Sequence, residues 1–118
     1  MTRNFLLYLS DIAENIREAE RFIGSMTFEE FAADRKTAYA VVRCFEIIGE
    51  AAKNMPDEIQ SRHPSIPWSD LARMRDKCMH LYWGIKYRII WDAVKEELPI
   101  LLPQIESLFD ELRQAEKK

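Results

Sequence analysis

Two residues whose side chains commonly act on protons and phosphate groups lie close together in the sequence. Arg75 and His80 are five positions apart, and Asp76 lies one helical turn before His80. A guanidinium can bind a phosphate through paired hydrogen bonds, and an imidazole can transfer a proton near neutral pH. The Asp76 carboxylate could fix the imidazole tautomer. The Asp76–His80 pair is compatible with proton transfer, and an ordinary surface contact between the two residues is the alternative.

Positive charge is concentrated around this segment. The chain as a whole has a net charge of −3, which argues mildly against a non-specific nucleic-acid binder. Between Leu71 and Arg88, however, the only acid is Asp76. The basic residues there, which we call the basic patch, are Arg73, Arg75, Lys77, Lys86 and Arg88. The alternative interpretation of this patch is a solvated face with no ligand.

The composition narrows the class of protein further. Hydrophobic residues make up 47% of the chain and charged residues 31%, values typical of a globular protein. The absence of a long apolar run and of a signal-peptide core predicts a cytoplasmic protein without a membrane segment. The 118 residues fit a single domain, residues 1–118.

Metal and cysteine chemistry are not expected. Neither His63 nor His80 has a second ligand at metal-binding spacing, so we predict no metal and no cofactor. His63 is expected to be an exposed loop residue. Cys44 and Cys78 lie among apolar helical residues and are expected to be small buried hydrophobes.

Apolar residues recur at helical spacing over the first half of the chain. A first helix is predicted from Arg3 to Ile23, where Gly24 stops it. Thr27 and Glu30 have the spacing of a capping box that starts a short turn. Asp34 precedes a second long helix, which Pro56 bounds. Pro56 can in turn begin a short helix, with the proline in its first turn.

The second half predicts two further helices. A third helix begins near Pro67 and ends at Gly84, and a fourth carries apolar residues from Tyr87 to Leu112. Pro99 and Pro103 fall inside the fourth helix, so a kink or two abutting helices is expected. The fold class is therefore all-α, an up-and-down four-helix bundle with a short extra helix and a kinked C-terminal helix.

Two features of the second helix predict a neighbour. Gly49 lies in its middle, where glycine costs about 1 kcal/mol relative to alanine, and close approach of another helix is the simplest reason. Glu46 and Glu50 share a face and repel each other unless a cation is near. A cross-helix pairing with Arg73 or Arg75, structural in role, could supply that cation.

The segment from Arg75 to Tyr82 has the pattern R-x4-H-x-Y, with a polar residue directly after the arginine. It resembles the motif of the HepT-like branch of the HEPN superfamily. Similarity to that family continues in the runs Ser25 to Phe31 and Glu46 to Asn54 and in the pair Pro67-Trp68, so it extends over nearly the whole chain. One departure follows the motif, where Lys86 stands in place of an expected acidic residue.

The resemblance implies the toxin of a toxin–antitoxin pair, a metal-independent endoribonuclease in which Arg75 and His80 are the active residues and Asp76 is supporting. Its partner would be a nucleotidyltransferase-fold antitoxin of the MNT type, which can silence the toxin by transferring AMP to Tyr82. RNA is then the substrate, with Arg73, Lys77 and Lys86 as candidate contacts.

The geometry of one helix raises a difficulty for this site. At about 100° per residue, Arg75 and His80 diverge by roughly 140° around a single helix, whereas Arg75 and Tyr82 lie on nearly the same line. One helix therefore cannot easily aim both active residues at one phosphate. A two-fold homodimer that pairs the third helices would bring Arg75 of one chain near His80 of the other.

Two other functions are compatible with the same sequence. The chain could be a non-catalytic subunit that presents substrate to a nucleotidyltransferase partner. It could also be a helical scaffold that has lost activity. Cleavage of RNA by the purified protein distinguishes the enzyme from both.

Overall fold

The computed structural model describes residues 4–76 and 86–116, and all the regular structure in those ranges is helical. The first helix, α1, spans Asn4–Ile23. Its apolar stripe is buried, with Leu9, Ile12 and Ile16 fully inaccessible, because residues three and four apart share one helix face. The helix ends at Gly24, whose φ of 52° is a left-handed conformation that glycine adopts without a steric penalty.

Two capped helices follow. In α2, Phe28–Ala32, the Thr27 hydroxyl accepts a hydrogen bond from the Glu30 amide at 3.1 Å, and the Glu30 carboxylate accepts from the Thr27 amide at 2.9 Å. The predicted capping box is thus confirmed. In α3, Arg35–Lys53, the Asp34 carboxylate accepts from the Thr37 amide at 3.0 Å. These caps pair amide donors that the first turn leaves without partners.

The connection between α3 and the candidate site contains the short helix α4, Asp57–Arg62. Pro56 is the N-cap of this helix, whereas the sequence predicts it in the first turn. His63 ends α4, and its expected exposure is wrong. Its side chain is only 21% accessible, and its Nε2 lies 3.7 Å from the Glu111 carboxylate of the C-terminal helix. Its main-chain carbonyl accepts a 3.1 Å hydrogen bond from the Trp68 indole. Tertiary packing against the last helix therefore covers a residue that sequence alone leaves in a loop.

The third predicted helix begins as α5, Trp68–Ala72. Residues 73–76 continue it as a tighter 3₁₀ turn, a common feature of helix ends. This differs from the single continuous α-helix that was predicted to start near Pro67. The remainder of that helix, up to Gly84, lies outside the described residues.

The C-terminal part is helical from residue 87 to residue 116. Helix α6, Tyr87–Asp92, leads into a π-helical segment, Ala93–Glu97, and then into α7, Leu98–Glu116. The predicted interruption therefore takes the form of a widened turn placed just before Pro99. Because a proline ring crowds the preceding turn and removes a donor, a π-turn there lets the helical path continue. Pro103 lies inside α7.

The helices pack as an all-α bundle around one core. Helix α1 packs extensively on α3 and α7, α3 packs on α5, and α2 packs on α6. The apolar residues of α3 that recur at helical spacing are all buried, and they are Ala38, Val41, Phe45, Ile48 and Ala52. Cys44 is buried too, as predicted, and burial raises the pKa of its thiol to about 11. Cys78 lies outside the described residues. No helix in the described ranges is both long and apolar enough to cross a membrane.

Candidate functional site

The described ranges include four of the seven predicted site residues. Arg73, Arg75 and Asp76 lie in the turn that follows α5, and Lys86 directly precedes α6. All four are exposed. The other three predicted site residues, Lys77, His80 and Tyr82, lie outside the described residues, and so the geometry that follows concerns the arginine side of the site.

Apolar side chains that are buried in the core fix the position of the turn that carries Arg75. Leu71 and Met74 are inaccessible to solvent at 0% and 1%, and they alternate with residues that face outward. Because Met74 is fixed in the core, its neighbours Arg73 and Arg75 must point away from it. Leu71 and Met74 therefore define the buried side of this turn.

Gly49 brings α3 against this turn. A Cβ atom at Gly49 would lie 3.1 Å from the carbonyl oxygen of Ala72 and 3.3 Å from the amide nitrogen of Arg75. Both distances are shorter than ordinary contacts of a methyl carbon, and both involve main-chain atoms. The predicted close approach at Gly49 is therefore confirmed, and the approaching element is the turn that carries Arg75.

The next residue of α3 binds the guanidinium. Arg75 Nη1 donates a hydrogen bond to Glu50 Oε1 at 3.3 Å, across 25 positions of sequence. The Arg75 side chain remains 52% exposed and that of Glu50 61% exposed. Of the two carboxylates considered from sequence, Glu50 is thus the one that pairs with Arg75. Glu46 pairs within its own helix, with Arg43 at 3.5 Å.

A second side chain holds Glu50. Asn54 Nδ2 donates to the main-chain oxygen of Glu50 at 2.9 Å and lies 3.5 Å from Glu50 Oε2. Asn54 is also the C-cap of α3. Arg75, Glu50 and Asn54 therefore form a short chain of polar contacts from the turn to the end of α3.

These residues line an open cleft of about 400 Å³ between α1, α3 and the Arg75 turn. Sequence reasoning missed the contributions of α1 and of the α3 positions flanking the glutamates. The sequence does indicate the α3 side of the cleft, because polar residues recur there at helical spacing and form one stripe. They are Arg43, Glu46, Glu50 and Asn54. The charged and polar residues that line the cleft are Tyr8, Asp11, Arg43, Glu46, Glu50, Asn54 and Arg75.

The basic patch is largely balanced by acids in the described residues. Arg73 donates to Asp70 at 3.2 Å and to Ser69 at 2.9 Å. Arg88 lies 3.5 Å from Asp92 and also covers the face of the Phe28 ring at 4.5 Å. With the Arg75–Glu50 pair, each of the three arginines in the patch has an acidic neighbour. The described part of the basic patch therefore does not form a broad cationic surface.

The fold and the site together define an all-helical protein with an exposed arginine held at the rim of a mixed-charge cleft. A family model described as Ribonuclease HepT-like matches residues 12–108. The chain belongs to this family, which confirms the resemblance carried by the motif from Arg75 to Tyr82.

Individual relatives align over nearly the full chain. A protein of Thermococcus cleftensis named "Probable ribonuclease HepT" is 48% identical over 108 residues, covering 92% of this chain and 98% of the relative. Proteins of Methanocaldococcus jannaschii and Caldanaerobacter subterraneus subsp. tengcongensis, whose names give them as candidate RNases, are 44% and 40% identical. The two alignments cover 89% and 86% of this chain and, in the same order, 87% and 90% of the relatives' own lengths. No solved structure gives a significant match.

Proposed function

We propose that this chain is a metal-independent endoribonuclease and the toxin of a toxin–antitoxin pair, folded as a single domain over residues 1–118. The observation that carries the proposal is the placement of Arg75, whose backbone is packed against α3 while its guanidinium stays half exposed at the rim of a cleft. Family membership and the RNase names of the relatives support the same activity.

The proposed chemistry uses the 2′-hydroxyl of RNA as the nucleophile. That oxygen attacks the adjacent phosphorus, its proton passes to an imidazole, and the 5′-oxygen leaves with a proton from an acid. The Arg75 guanidinium binds the phosphate and offsets the charge that develops on it, a contribution of about 10²–10³ in rate where one such donor is lost. His80 handles the protons, and Asp76 orients it. Such a reaction needs no metal-bound water.

The active unit in this proposal is a two-fold dimer. On the helical projection from sequence, Arg75 and His80 point in directions about 140° apart. Two copies packed through this region would supply Arg75 and His80 from different chains and provide both a base and an acid.

The proposal extends to the partner. A nucleotidyltransferase antitoxin of the MNT type would transfer AMP to Tyr82, and the added anion would compete with RNA for Arg75 and the nearby basic residues. Arg73, Lys77 and Lys86 are the proposed further contacts to RNA. The toxin, its RNA substrate and its partner would meet in the cytoplasm.

Cleavage of RNA by purified protein in excess chelator tests this function. Wild type should cleave, and His80→Ala should lower the rate by at least about 10². His63→Ala is the matched control, because His63 packs against α7 with its Nε2 3.7 Å from Glu111 and takes no part in the proposed chemistry; its rate should stay within twofold of wild type.

Other outcomes reject parts of the proposal. Cleavage that stops on chelation would exclude the metal-independent mechanism. Absence of cleavage, with growth inhibition that survives His80→Ala, would favour the non-catalytic subunit. Full activity in a strictly monomeric form would exclude the composite site.

A further inference from the structure

Helix α3 holds Arg75 at two points that are consecutive in sequence. Gly49 lets the Ala72 carbonyl and the Arg75 amide approach the helix backbone, which fixes where the Arg75 side chain starts. Glu50 accepts a hydrogen bond from its far end. A long side chain whose backbone is fixed and whose far end makes a hydrogen bond has fewer favoured rotamers than an arginine that extends into solvent.

We propose that Glu50 is a positioning residue for Arg75, and that Asn54 holds Glu50 in place for that role. This inference rests on the proposed ribonuclease function and adds a residue outside the motif to the site. Glu50 does not touch the reacting atoms. It acts by limiting the directions in which the guanidinium can present its other N–H groups to a phosphate.

The geometry of the pair suits this role. The contact is made through one terminal nitrogen, Nη1, at 3.3 Å, so it does not occupy the whole hydrogen-bonding fork of the guanidinium. Exposures of 52% and 61% mean that the pair contributes little to stability, because solvent screens an exposed ion pair. Its contribution is expected in orientation, which catalysis requires to within fractions of an ångström.

Glu50 is itself oriented rather than free. Asn54 Nδ2 bonds to the Glu50 carbonyl at 2.9 Å and faces Glu50 Oε2 at 3.5 Å. The amide therefore favours a rotamer in which Oε1 is turned toward Arg75. Glu46, one turn earlier on α3, bonds instead to Arg43 of the same helix, and within the part of the chain that the structure describes it makes no hydrogen bond to the turn that carries Arg75.

Steady-state cleavage by Glu50→Gln tests the inference. The variant should lower kcat by about tenfold, equivalent to about 1.4 kcal/mol of barrier, with KM within about twofold and the melting temperature within about 2 °C. Glu50→Asp should recover part of the loss if RNA turnover depends on a carboxylate at this position.

Two control variants separate positioning from other effects. Glu46→Gln removes the same charge from the same cleft and should lower kcat by much less than Glu50→Gln does, because Glu46 pairs with Arg43. Glu106→Gln removes a cross-helix pair with Arg17 of similar exposure, 45% and 49%, outside the cleft, and should leave kcat unchanged. A tenfold loss in either control would mean that charge or general stability, not Arg75 placement, is responsible.

A measurement independent of activity completes the test. The ¹⁵N relaxation of the Arg75 Nε–Hε group, assigned by its absence in Arg75→Lys, should show increased motion in Glu50→Gln and not in Glu46→Gln. Unchanged relaxation together with unchanged kcat would overturn the inference. Higher activity in Glu50→Gln would also overturn it, because Glu50 would then be a competitor of the phosphate. If wild type cleaves no RNA, the proposed function fails, while the relaxation data still decide whether Glu50 positions Arg75.

Discussion

Replacing Gly49 by alanine sets two physical effects against each other. Alanine in the middle of a helix is favoured over glycine by about 1 kcal/mol, so on local grounds Gly49→Ala should stabilise α3. Its methyl carbon, however, would lie 3.1 Å from the Ala72 carbonyl oxygen and 3.3 Å from the Arg75 amide nitrogen. Ordinary van der Waals contact begins at 3.4 Å, and main-chain atoms cannot rotate away as a flexible side chain would.

The magnitude follows from these distances. Closing a shortfall of about 0.3 Å at the Ala72 oxygen moves the turn outward by a few tenths of an ångström, at an overpacking cost of about 1–3 kcal/mol. Subtracting the gain in helix propensity leaves a net destabilisation of about 0–2 kcal/mol. For the site, misplacement by about 1 Å costs about 10² in rate. If the logarithm of the rate falls in proportion to the displacement, a displacement of about 0.3 Å lowers kcat by about fourfold.

Thermal unfolding and RNA cleavage by the same preparation measure both effects. Ala40→Gly, on the same helix, provides the control for propensity: it should lose about 1 kcal/mol of stability and keep its cleavage rate. Gly49→Val should lose more of both than Gly49→Ala. If Gly49→Ala proves about 1 kcal/mol more stable than wild type and cleaves RNA equally fast, the contact with the turn does not position Arg75.

Three further predictions concern the scaffold. Thr27→Ala removes the hydroxyl of the capping box and should lower the free energy of unfolding by about 1 kcal/mol, measured by chemical denaturation. Hydrogen bonds from Thr37 hold the pKa of Asp34 below its ordinary value of 3.8, so the stability difference between wild type and Asp34→Ala should be constant above about pH 5 and shrink as the pH falls below 4. Burial raises the pKa of Cys44 to about 11, so in a Cys78→Ser background a thiol reagent should react at pH 7 only as fast as the chain opens.

Local sequence patterns predict the helices well, because the start, end and buried face of a helix depend mainly on residues three or four positions apart in the chain. The buried stripe of α1, the capping box at Thr27 and the stop at Gly24 all follow from spacing of three or four residues, and each is confirmed. The signals fail where distant elements meet. His63 looks like a loop residue until α7 covers it, and the effect of Pro99 depends on whether the helix can widen before it.

The basic patch shows a different failure. Counting charge between Leu71 and Arg88 finds one acid, but the acids that pair with Arg73 and Arg88 are Asp70 and Asp92, which lie just outside that window at helical spacing. The range over which the charges were counted begins and ends within helices. Ion pairs between residues three or four apart cross the ends of that range and are missed by the count. The pairing was available from the sequence and would have corrected the estimate of local charge.

The partner of Arg75 was only half predictable for a related reason. Helical spacing places Glu46 and Glu50 on one face, and both are candidates until the register between α3 and the following turn is known. Gly49 sets that register, because the backbone of the turn can come close to α3 only where no Cβ intervenes. The residue next to the glycine then meets the guanidinium, and the residue a turn earlier does not.

This arrangement bears on how the protein would recognise RNA. The three arginines of the patch already have carboxylate neighbours, and the cleft contains three acids, Asp11, Glu46 and Glu50, against two arginines. Bulk attraction to a polyanion is therefore weak here, in keeping with a net charge of −3. In the proposed function, one contact that binding would then depend on is that of a phosphate with the remaining N–H groups of the Arg75 guanidinium. On the proposals above, the chain would select its RNA by whether a phosphate can enter the cleft at the right angle, and the placement of Arg75 by Gly49 and Glu50 would be the structural basis for that selection.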